Sequence, residues 1–505
     1  MPTEIYLKYA LLLANKIDFN EYTTLSEKRA NQLIKIRPNN IALQKFRKDI
    51  IDVDYYKPIK KYINQYDEVH KLYNSLVDAQ YILSSNTQEY LKLDIKKLKT
   101  EYRSKLRAIE DVLFSDEYEE FLPSLMRFES HNITHLQKSL KDDEIIISII
   151  TQPGGSLSFA NYITKSQLIT LPVFEHIEIY SQNLVEKFQN PKSEDYIWLA
   201  SNLYYNILSP IEEIFSSDNS FKNIYIVPDT GLQKTPFHAL YDSRNKVWSI
   251  EKYNFKYLSS EKLYLYLDNH QVSRSNNFFG IGNPSLNKKT VKSEVEKFFN
   301  KRSEIGIKNL KELYELPETE EELRYISSFF NKRKLYFQDD ATEDILYSDL
   351  FLKSDVMAFA THTVRGVDVN SNYNDRGIVL TPIDEFNIKN DGFVGSLDIV
   401  GLAFESKPLV MLSACSTIDS PYFDSLPFFG LPKSFMNAGA NSVLISLWNI
   451  DSLSTQKFNE SLFDKSFITR NFYISESIQE SMIDMINSKD YSHPYYWAPY
   501  LYLGK

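Results

Sequence analysis

The sequence predicts an α/β protein in which a mostly parallel sheet flanked by helices follows an all-helical region. All 14 glycines lie at or beyond Gly154. Helix interiors exclude glycine, whereas strand-to-helix turns often need it, so the glycine-free first third is predicted to be helical. From Asp142 onward, short apolar runs rich in β-branched and aromatic residues alternate with helical patterns, as in a parallel sheet. A length of 505 residues with 43% hydrophobic and 25% charged residues fits a globular chain of two or more domains.

We therefore predict an all-helical domain over residues 1–141 and an α/β domain over residues 142–505. Apolar residues recur every three or four positions over 91–113, which indicates one face of a long amphipathic helix. Residues 25–46 resemble the second helix of a tetratricopeptide repeat and its Pro-Asn-Asn turn. Only one such unit is found, so an irregular helical bundle is an equal alternative to a repeat array.

Several strands of the second domain can be placed from their apolar runs. Glu144–Ile150 and 156–163 flank a Pro-Gly-Gly turn and predict a hairpin. Further strands are predicted at Asn223–Val227, 277–281 and 334–337. The sequence Thr319-Glu320-Glu321-Glu322 resembles a capping box that opens a helix ending near residue 330.

Composition argues against several classes of function. Residues 1–140 are close to neutral, so the net charge of −10 resides in the remainder, and an acidic domain is a poor general binder of nucleic acid. No apolar run approaches the roughly 18 residues of a membrane span, and residues 1–4 do not resemble the start of a secretory signal. One cysteine excludes an internal disulfide and Cys-rich zinc sites, and no metalloprotease or phosphate-loop motif is present. We expect a cytoplasmic protein without metal or cofactor.

Two apolar runs lead directly to reactive side chains. Residues 356–361 precede His362, and residues 409–414 precede Cys415. Ligands of open parallel sheets bind at the carboxyl ends of strands, so neighbouring strands would bring His362 and Cys415 together there. A thiol needs a base or a positive neighbour to become a nucleophilic thiolate, and histidine can supply it. The alternative for Cys415 alone is a small buried hydrophobic residue.

From about Asp142 to Lys505, the sequence resembles the CHAT domain, a caspase-like cysteine peptidase module. The resemblance rests on segments that follow one another in the order of the family: 227–232 and 236–240 (VPDTGL and PFHAL), 280–284 (GIGNP), 316–319 (LPET), 341–343 (ATE), 359–362 (FATH), 412–415 (LSAC), 439–448 (GANSVLISLW) and 494–499 (PYYWAP). The 53 residues from His362 to Cys415 also match the histidine-to-cysteine spacing of roughly 50 in caspases.

The resemblance implies that Cys415 is the nucleophile and that His362 takes and returns its proton. The backbone N–H groups of Cys415 and Thr363 would hold the oxyanion. The family usually has glycine where this chain has Thr363, and a β-branched residue there restricts the backbone and crowds the site.

In caspase-like folds, the substrate adds as a strand beside the strand that follows the nucleophile loop, which here corresponds to Ser446 through Trp448. The first specificity pocket would then contain Asp229, Ser413 and residues from Trp448 to Asp451. Asp229 and Asp451 have equally simple alternatives as a turn residue and a helix cap.

None of these pocket positions is basic, so substrates with aspartate before the cut are expected to be poor. A basic residue before the cut is favoured if Asp229 or Asp451 faces the pocket; otherwise the pocket is neutral.

These features predict a cysteine endopeptidase that cleaves a protein partner. The helical domain would recognise the substrate or a protein activator. The resemblance further implies a sensor-activated role in bacterial defence or cell death. The alternative is a catalytically silent CHAT scaffold that acts as a protein-interaction module, with Thr363 marking a decayed oxyanion site.

Overall fold

A computed structural model describes residues 133–505 apart from 152–157, 174–176, 216–220, 266, 270–274, 287–312, 314, 366–375, 384–391, 396–397, 400–401, 403, 414–430, 449, 451 and 469–472. The helix predicted at 91–113 and the repeat-like segment at 25–46 lie outside the described residues.

The central feature of the described residues is a sheet of eleven strands. In spatial order these are β3 (Leu168–Val173), β2 (Ser158–Ile163), β1 (Glu144–Ile150), β4 (Asn223–Val227), β7 (Asn254–Tyr257), β16 (Tyr500–Leu503), β15 (Ser442–Ser446), β14 (Leu409–Leu412), β10 (Val356–Ala360), β8 (Asn277–Pro284) and β9 (Lys332–Gln338). Two small sheets contain β11 (Thr363–Arg365), β12 (Arg376–Val379) and β13 (Phe393–Val394), and β5 (Tyr241–Asp242) and β6 (Val247–Trp248).

The helices of the described residues pack around this sheet. They are α1 (Ile133–Ser139), α2 (Ile177–Phe188), α3 (Ile197–Ile207), α4 (Ser209–Phe215), α5 (Ser249–Lys252), α6 (Pro317–Ser327), α7 (Asp349–Leu352), α8 (Leu431–Asn437), α9 (Ser452–Ile468), α10 (Ile474–Asn487) and α11 (Pro494–Trp497). None of the helices in this part of the chain is both long enough and apolar enough to cross a membrane.

Apart from β2 and β3, which pair antiparallel at one end, the large sheet consists of two sets of parallel strands that run in opposite directions. Strands β1, β4, β7 and β16 are parallel to one another, and so are β15, β14, β10, β8 and β9. The halves meet where β15 and β16 pair antiparallel, with Ile445 opposite Leu501. The carboxyl ends of β10 and β14 therefore lie at the edge opposite to the carboxyl end of β4.

Strand β1 is buried on both faces, as is usual for parallel sheets covered by helices. Ile145 and Ile147 belong to the larger core, whereas Ile146 belongs to a smaller core together with Ile133 and Leu136 of α1. Helix α1 thus packs on the sheet, although its residues precede the predicted start of the α/β domain at 142. The division into domains 1–141 and 142–505 stays a prediction.

The hairpin predicted near the start of the sheet is confirmed, because β1 and β2 pair antiparallel from Ile146–Ile163 to Ile150–Phe159. The bounds of β1 and β4 match the prediction, while β8 and β9 each extend past it. Strand β3, which continues the sheet beyond β2, was not predicted.

A buried histidine joins the segments around β7 and β16. His238 Nε2 lies 3.0 Å from the Ala498 carbonyl, and Nδ1 lies 2.9 Å from the Tyr257 hydroxyl. A carbonyl only accepts, so Nε2 donates to it and Nδ1 accepts from the tyrosine. Complete burial lowers the pKa of His238 to about 3, so the ring stays neutral in the folded protein.

We predict that His238→Ala destabilises the protein by about 2–4 kcal/mol, because it opens a cavity and leaves buried polar groups unpaired. His135→Ala at an exposed position of α1 is the matched control and should change stability by less than about 0.5 kcal/mol. Urea unfolding measures both values; equal stability of the two variants would contradict the prediction.

Candidate active site

The candidate site forms where two neighbouring parallel strands end. Strands β10 and β14 pair in register, from Val356–Leu409 to Phe359–Leu412. Thr361 and His362 follow β10, and Ser413 follows β14. The strands thus carry His362 and Ser413 to the same edge of the sheet, where parallel sheets bind their ligands.

The main chain around His362 is fixed by a small antiparallel sheet. The Thr361 hydroxyl donates to the Val379 carbonyl at 2.8 Å, and the Val379 amide donates to the His362 carbonyl at 2.9 Å. Thr363 is the first residue of β11 and pairs with Ile378 of β12. His362 itself is 7% exposed. Hydrogen bonds to Val379 of β12 thus hold the main chain on both sides of the His362 side chain.

The pairing of β11 with β12 also determines the direction in which the Thr363 amide points. Antiparallel ladders alternate hydrogen-bonded and non-hydrogen-bonded pairs. His362 and Val379 form a hydrogen-bonded pair, because the Val379 amide donates to the His362 carbonyl. The next pair, Thr363–Ile378, is therefore a non-hydrogen-bonded pair. The Thr363 amide is therefore turned away from β12.

On the β14 side, a buried carboxylate joins three elements. Oε1 of Glu322, on α6, accepts a hydrogen bond from Ser413 Oγ at 3.2 Å and another from Asn459 Nδ2 of α9 at 2.6 Å. Burial raises the pKa of Glu322 to about 7; the two hydrogen bonds and the nearby Glu318 modify that effect in opposite directions.

The capping box predicted for this helix is wrong. Helix α6 begins at Pro317, and its N-cap residue, Leu316, makes no side-chain cap. Thr319 lies inside the first turn, with its hydroxyl donating to the Leu316 carbonyl at 2.7 Å. The spacing of Thr319, Glu322, Leu323 and Ile326 instead places all four on the buried face of α6.

Three of the predicted substrate-binding residues line one cavity. Ser413, Ser446 and Trp448 surround it together with Asn459 and with apolar residues of β14, β15 and β16. Ser446 Oγ donates to the Trp448 carbonyl at 2.6 Å, and Trp448 Nε1 donates to the Tyr495 carbonyl at 3.0 Å. The cavity is thus a defined polar and apolar pocket at the carboxyl ends of β14 and β15.

Asp229 does not reach this cavity. It follows β4, whose direction is opposite to that of β14, so it lies at the other edge of the sheet. Its carboxylate accepts from the Thr151 amide at 2.8 Å. The strand before Asp229 is not the first strand of the half-sheet that contains β10 and β14; β8 has that position, next to β10.

Two predicted residues, Cys415 and Asp451, lie outside the described residues. In the part of the chain that the structure does describe, no group of three or more His, Cys, Asp or Glu side chains could hold a metal ion. Glu322 and Asn459 were not predicted from the sequence. The spacing of Glu322 from Leu323 and Ile326 does place a charged residue on the apolar face of α6, and this could have indicated a functional role.

Comparison with known proteins identifies the family. The model of the CHAT domain matches residues 198–505, which is more than half of the chain. The chain belongs to the CHAT domain family and has the fold of a caspase-like cysteine peptidase. The comparison with curated proteins gave no match.

Two solved structures are similar in outline. Separase from Saccharomyces cerevisiae, in its complex with securin, has 13% identity and a TM-score of 0.43; the match covers 83% of this chain and 34% of separase. The Arg-specific cysteine proteinase gingipain R has 10% identity and a TM-score of 0.36, over 72% of this chain and 78% of the proteinase. The chain thus spans about a third of the separase chain.

We predict that Glu322→Gln stabilises the protein at pH 8 by about 3 kcal/mol and leaves its stability at pH 4 unchanged. The folded-state pKa of Glu322 is about 7, above the ordinary 4.5, so its stabilising protonation is complete below pH 4.5 and is lost as the pH rises through 7. Glutamine keeps the accepting oxygen without the charge.

The measurement is urea unfolding across this pH range. Glu321→Gln, at an exposed position of the same helix, is the control and should show no pH-dependent gain. A Glu322→Gln variant that is less stable than wild type at pH 8 would contradict the expected burial effect.

Proposed function

We propose that the chain is a cysteine endopeptidase in which Cys415 is the nucleophile and His362 is its proton acceptor. One observation carries the proposal: each pair between β10 and β14 joins residues 53 positions apart, as in Val356–Leu409. His362 and Cys415 are also 53 positions apart. Continuation of this register for three residues past Phe359–Leu412 would place them side by side on strands about 4.8 Å apart.

The proposed reaction is acyl transfer through the thiol. His362 accepts the proton of Cys415, and the thiolate attacks the carbonyl carbon of the scissile peptide bond. The amides of Thr363 and Cys415 stabilise the oxyanion, and the turn of the Thr363 amide away from β12 supports this role. His362 then protonates the leaving amine, the peptide C–N bond breaks, and water hydrolyses the thioester with His362 as base. The chemistry uses no metal or cofactor.

The substrate would lie along the residues that follow β15. Its backbone would pair with the segment Ser446 to Trp448 as an added strand, and the side chain before the cut would enter the cavity beside Ser413. Asp451 stays a candidate for the rim of this pocket. Asp229 has no part in it, because it lies at the other edge of the sheet.

The helical region before the sheet would bind the protein substrate or an activating protein. Control by such a partner, and a role in defence or cell death, follow from the family resemblance. Direct contact with nucleic acid or membrane has no part in the proposal.

We predict that Cys415→Ala and His362→Ala each reduce cleavage to a few percent of wild type or less, because a nucleophile and its base act as one unit. Wild type and variants are incubated with a proteome lysate, and new amino termini are quantified by mass spectrometry. His135→Ala is the control for loss of an imidazole and should cleave like wild type.

Persistent cleavage by Cys415→Ala would disprove the mechanism, because the chain has no second cysteine. If wild type itself, with its cellular partners present in the lysate, produces no new termini, the silent scaffold is the better description.

The proposed domain division gives a second prediction. A fragment that starts at Ile133 keeps α1 on the sheet and should fold, but lose its natural substrate or its regulation. A fragment that starts at Asp142 lacks the buried Ile133 and Leu136 and should unfold at lower urea concentration.

Circular dichroism and the cleavage assay above test both fragments. If the fragment from Ile133 cleaves the natural partner at the full-length rate and under the same control, residues 1–132 are not a recognition region.

A further inference from the structure

We infer that Glu322 is the specificity residue of this peptidase and that it binds the basic side chain, arginine or lysine, of the substrate residue that precedes the cut. This inference rests on the proposed peptidase function and deepens it. The negative charge that binds the substrate side chain would come from Glu322 of α6, which was not among the pocket residues predicted from the sequence.

Glu322 occupies a core position without a counter-charge. Its neighbours on the buried face of α6 include Leu323 and Ile326. Glutamate is almost never buried to this extent unless it is paired. Among the described residues, none of the ion pairs includes Glu322, and its two hydrogen-bond donors, Ser413 and Asn459, are neutral.

The two donors are walls of the cavity. Ser413 and Asn459 both line it, and both bind the same carboxylate oxygen, Oε1. No side chain or amide of the described residues donates to Oε2. Glu322 thus lies behind Ser413 and Asn459, two polar residues of the cavity wall, and both of them donate to one of its two carboxylate oxygens.

The rest of the cavity suits the stem of a basic side chain. Met411, Leu444 and Trp448 supply apolar wall, along which the methylene groups of arginine or lysine could pack. The charged head would then reach Glu322, and a charge-assisted hydrogen bond between a guanidinium or ammonium group and a carboxylate is among the stronger ones in proteins.

The position of this cavity relative to the reacting bond agrees with that role. Ser413 directly follows β14 and is two residues before Cys415 in the sequence, so in the proposed mechanism the cavity would open beside the nucleophile. Ser446, at the end of β15, lines the same cavity and begins the segment along which the substrate backbone would lie.

A purely structural role accounts poorly for a carboxylate here. A glutamine would accept the same two hydrogen bonds without a charge to desolvate. Burial already raises the pKa of Glu322 to about 7, and the negative charge of Glu318, one turn earlier on α6, disfavours ionisation further. Strand β14 and helix α9 contribute only the neutral Ser413 and Asn459 to this carboxylate. A cationic substrate side chain supplies the missing charge.

The test profiles the residue before the cut. Wild type, Glu322→Gln and the exposed control Glu321→Gln are each incubated with a peptide library randomised at every position, together with the lysate that supports cleavage. We expect wild type and Glu321→Gln to favour arginine or lysine before the cut. In Glu322→Gln the basic preference should fall at least about thirtyfold relative to neutral residues, while cleavage after neutral residues persists.

Matched peptides with arginine or citrulline before the cut then isolate the charge. The ratio of kcat/KM for the two peptides removes every pH dependence that the two substrates share. This ratio should rise with pH through about 7 in wild type as Glu322 ionises, and it should stay flat in Glu322→Gln. Glu322→Asp, which keeps the charge, should restore part of the preference.

A binding measurement is independent of catalysis. Agmatine, a small amine that carries a guanidinium group, is titrated calorimetrically into the full chain at pH 8. Wild type and Glu321→Gln should bind it, and Glu322→Gln should bind it at least about thirtyfold more weakly.

The outcomes separate this inference from the proposed function. Cleavage without a basic preference, a preference for aspartate, or a preference that survives in Glu322→Gln overturns the role of Glu322 and leaves the peptidase intact. Equal agmatine binding, or equal lack of it, in wild type and Glu322→Gln also overturns that role. No cleavage of any peptide by wild type overturns the peptidase proposal, and the inference falls with it.

Discussion

The in-register parallel pairing of β10 and β14 is the constraint on which the rest of the site depends. Parallel strands end at the same edge, and their hydrogen-bond register fixes which residues stand beside each other there. Four consecutive pairs, each joining positions 53 residues apart, set that register. Helix α6 is attached to this edge by the hydrogen bond from Ser413 to Glu322. The small sheet of β11 and β12 is attached to it by the hydrogen bonds between Val379 and the residues around His362.

Because β15 and β16 pair antiparallel, the strands of the two half-sheets end at opposite edges, and only one half contributes strand ends to the candidate site. The half that contains β10 and β14 presents its carboxyl ends to the candidate site. The other half is turned around, so the residues that follow its strands, Asp229 among them, lie at the far edge and make structural contacts such as the bond to Thr151. His238 and the chain around β16 tie this second half to the seam between β15 and β16.

Much of this arrangement could be read from the sequence, and the failures have physical causes. Runs of apolar residues located β1, β4, β10 and β14, because strands buried on both faces lack polar alternation. The direction of a strand within the sheet cannot be recognised from such a run. Asp229 was therefore predicted to lie at the edge of the sheet that carries His362, although it lies at the opposite edge. Glu322 was predicted to be part of a capping box because Thr-x-x-Glu near a helix start fits either a capping box or two positions on one buried helix face. The helix start at Pro317 and the apolar neighbours of Glu322 show that the second interpretation is correct.

The placement of β16 also has a consequence for how the chain folds. Of the strands in the described residues, β16 is the last in sequence, yet it lies in the middle of the large sheet between β7 and β15. Its partner β7 precedes it by more than 240 residues, since Tyr257 pairs with Leu503. On the ribosome, the two half-sheets can form early but cannot be joined until residues 500–503 have been synthesised. Assembly of the whole sheet is thus a late, long-range step, and such steps are slow because the loop must be closed before the contacts form.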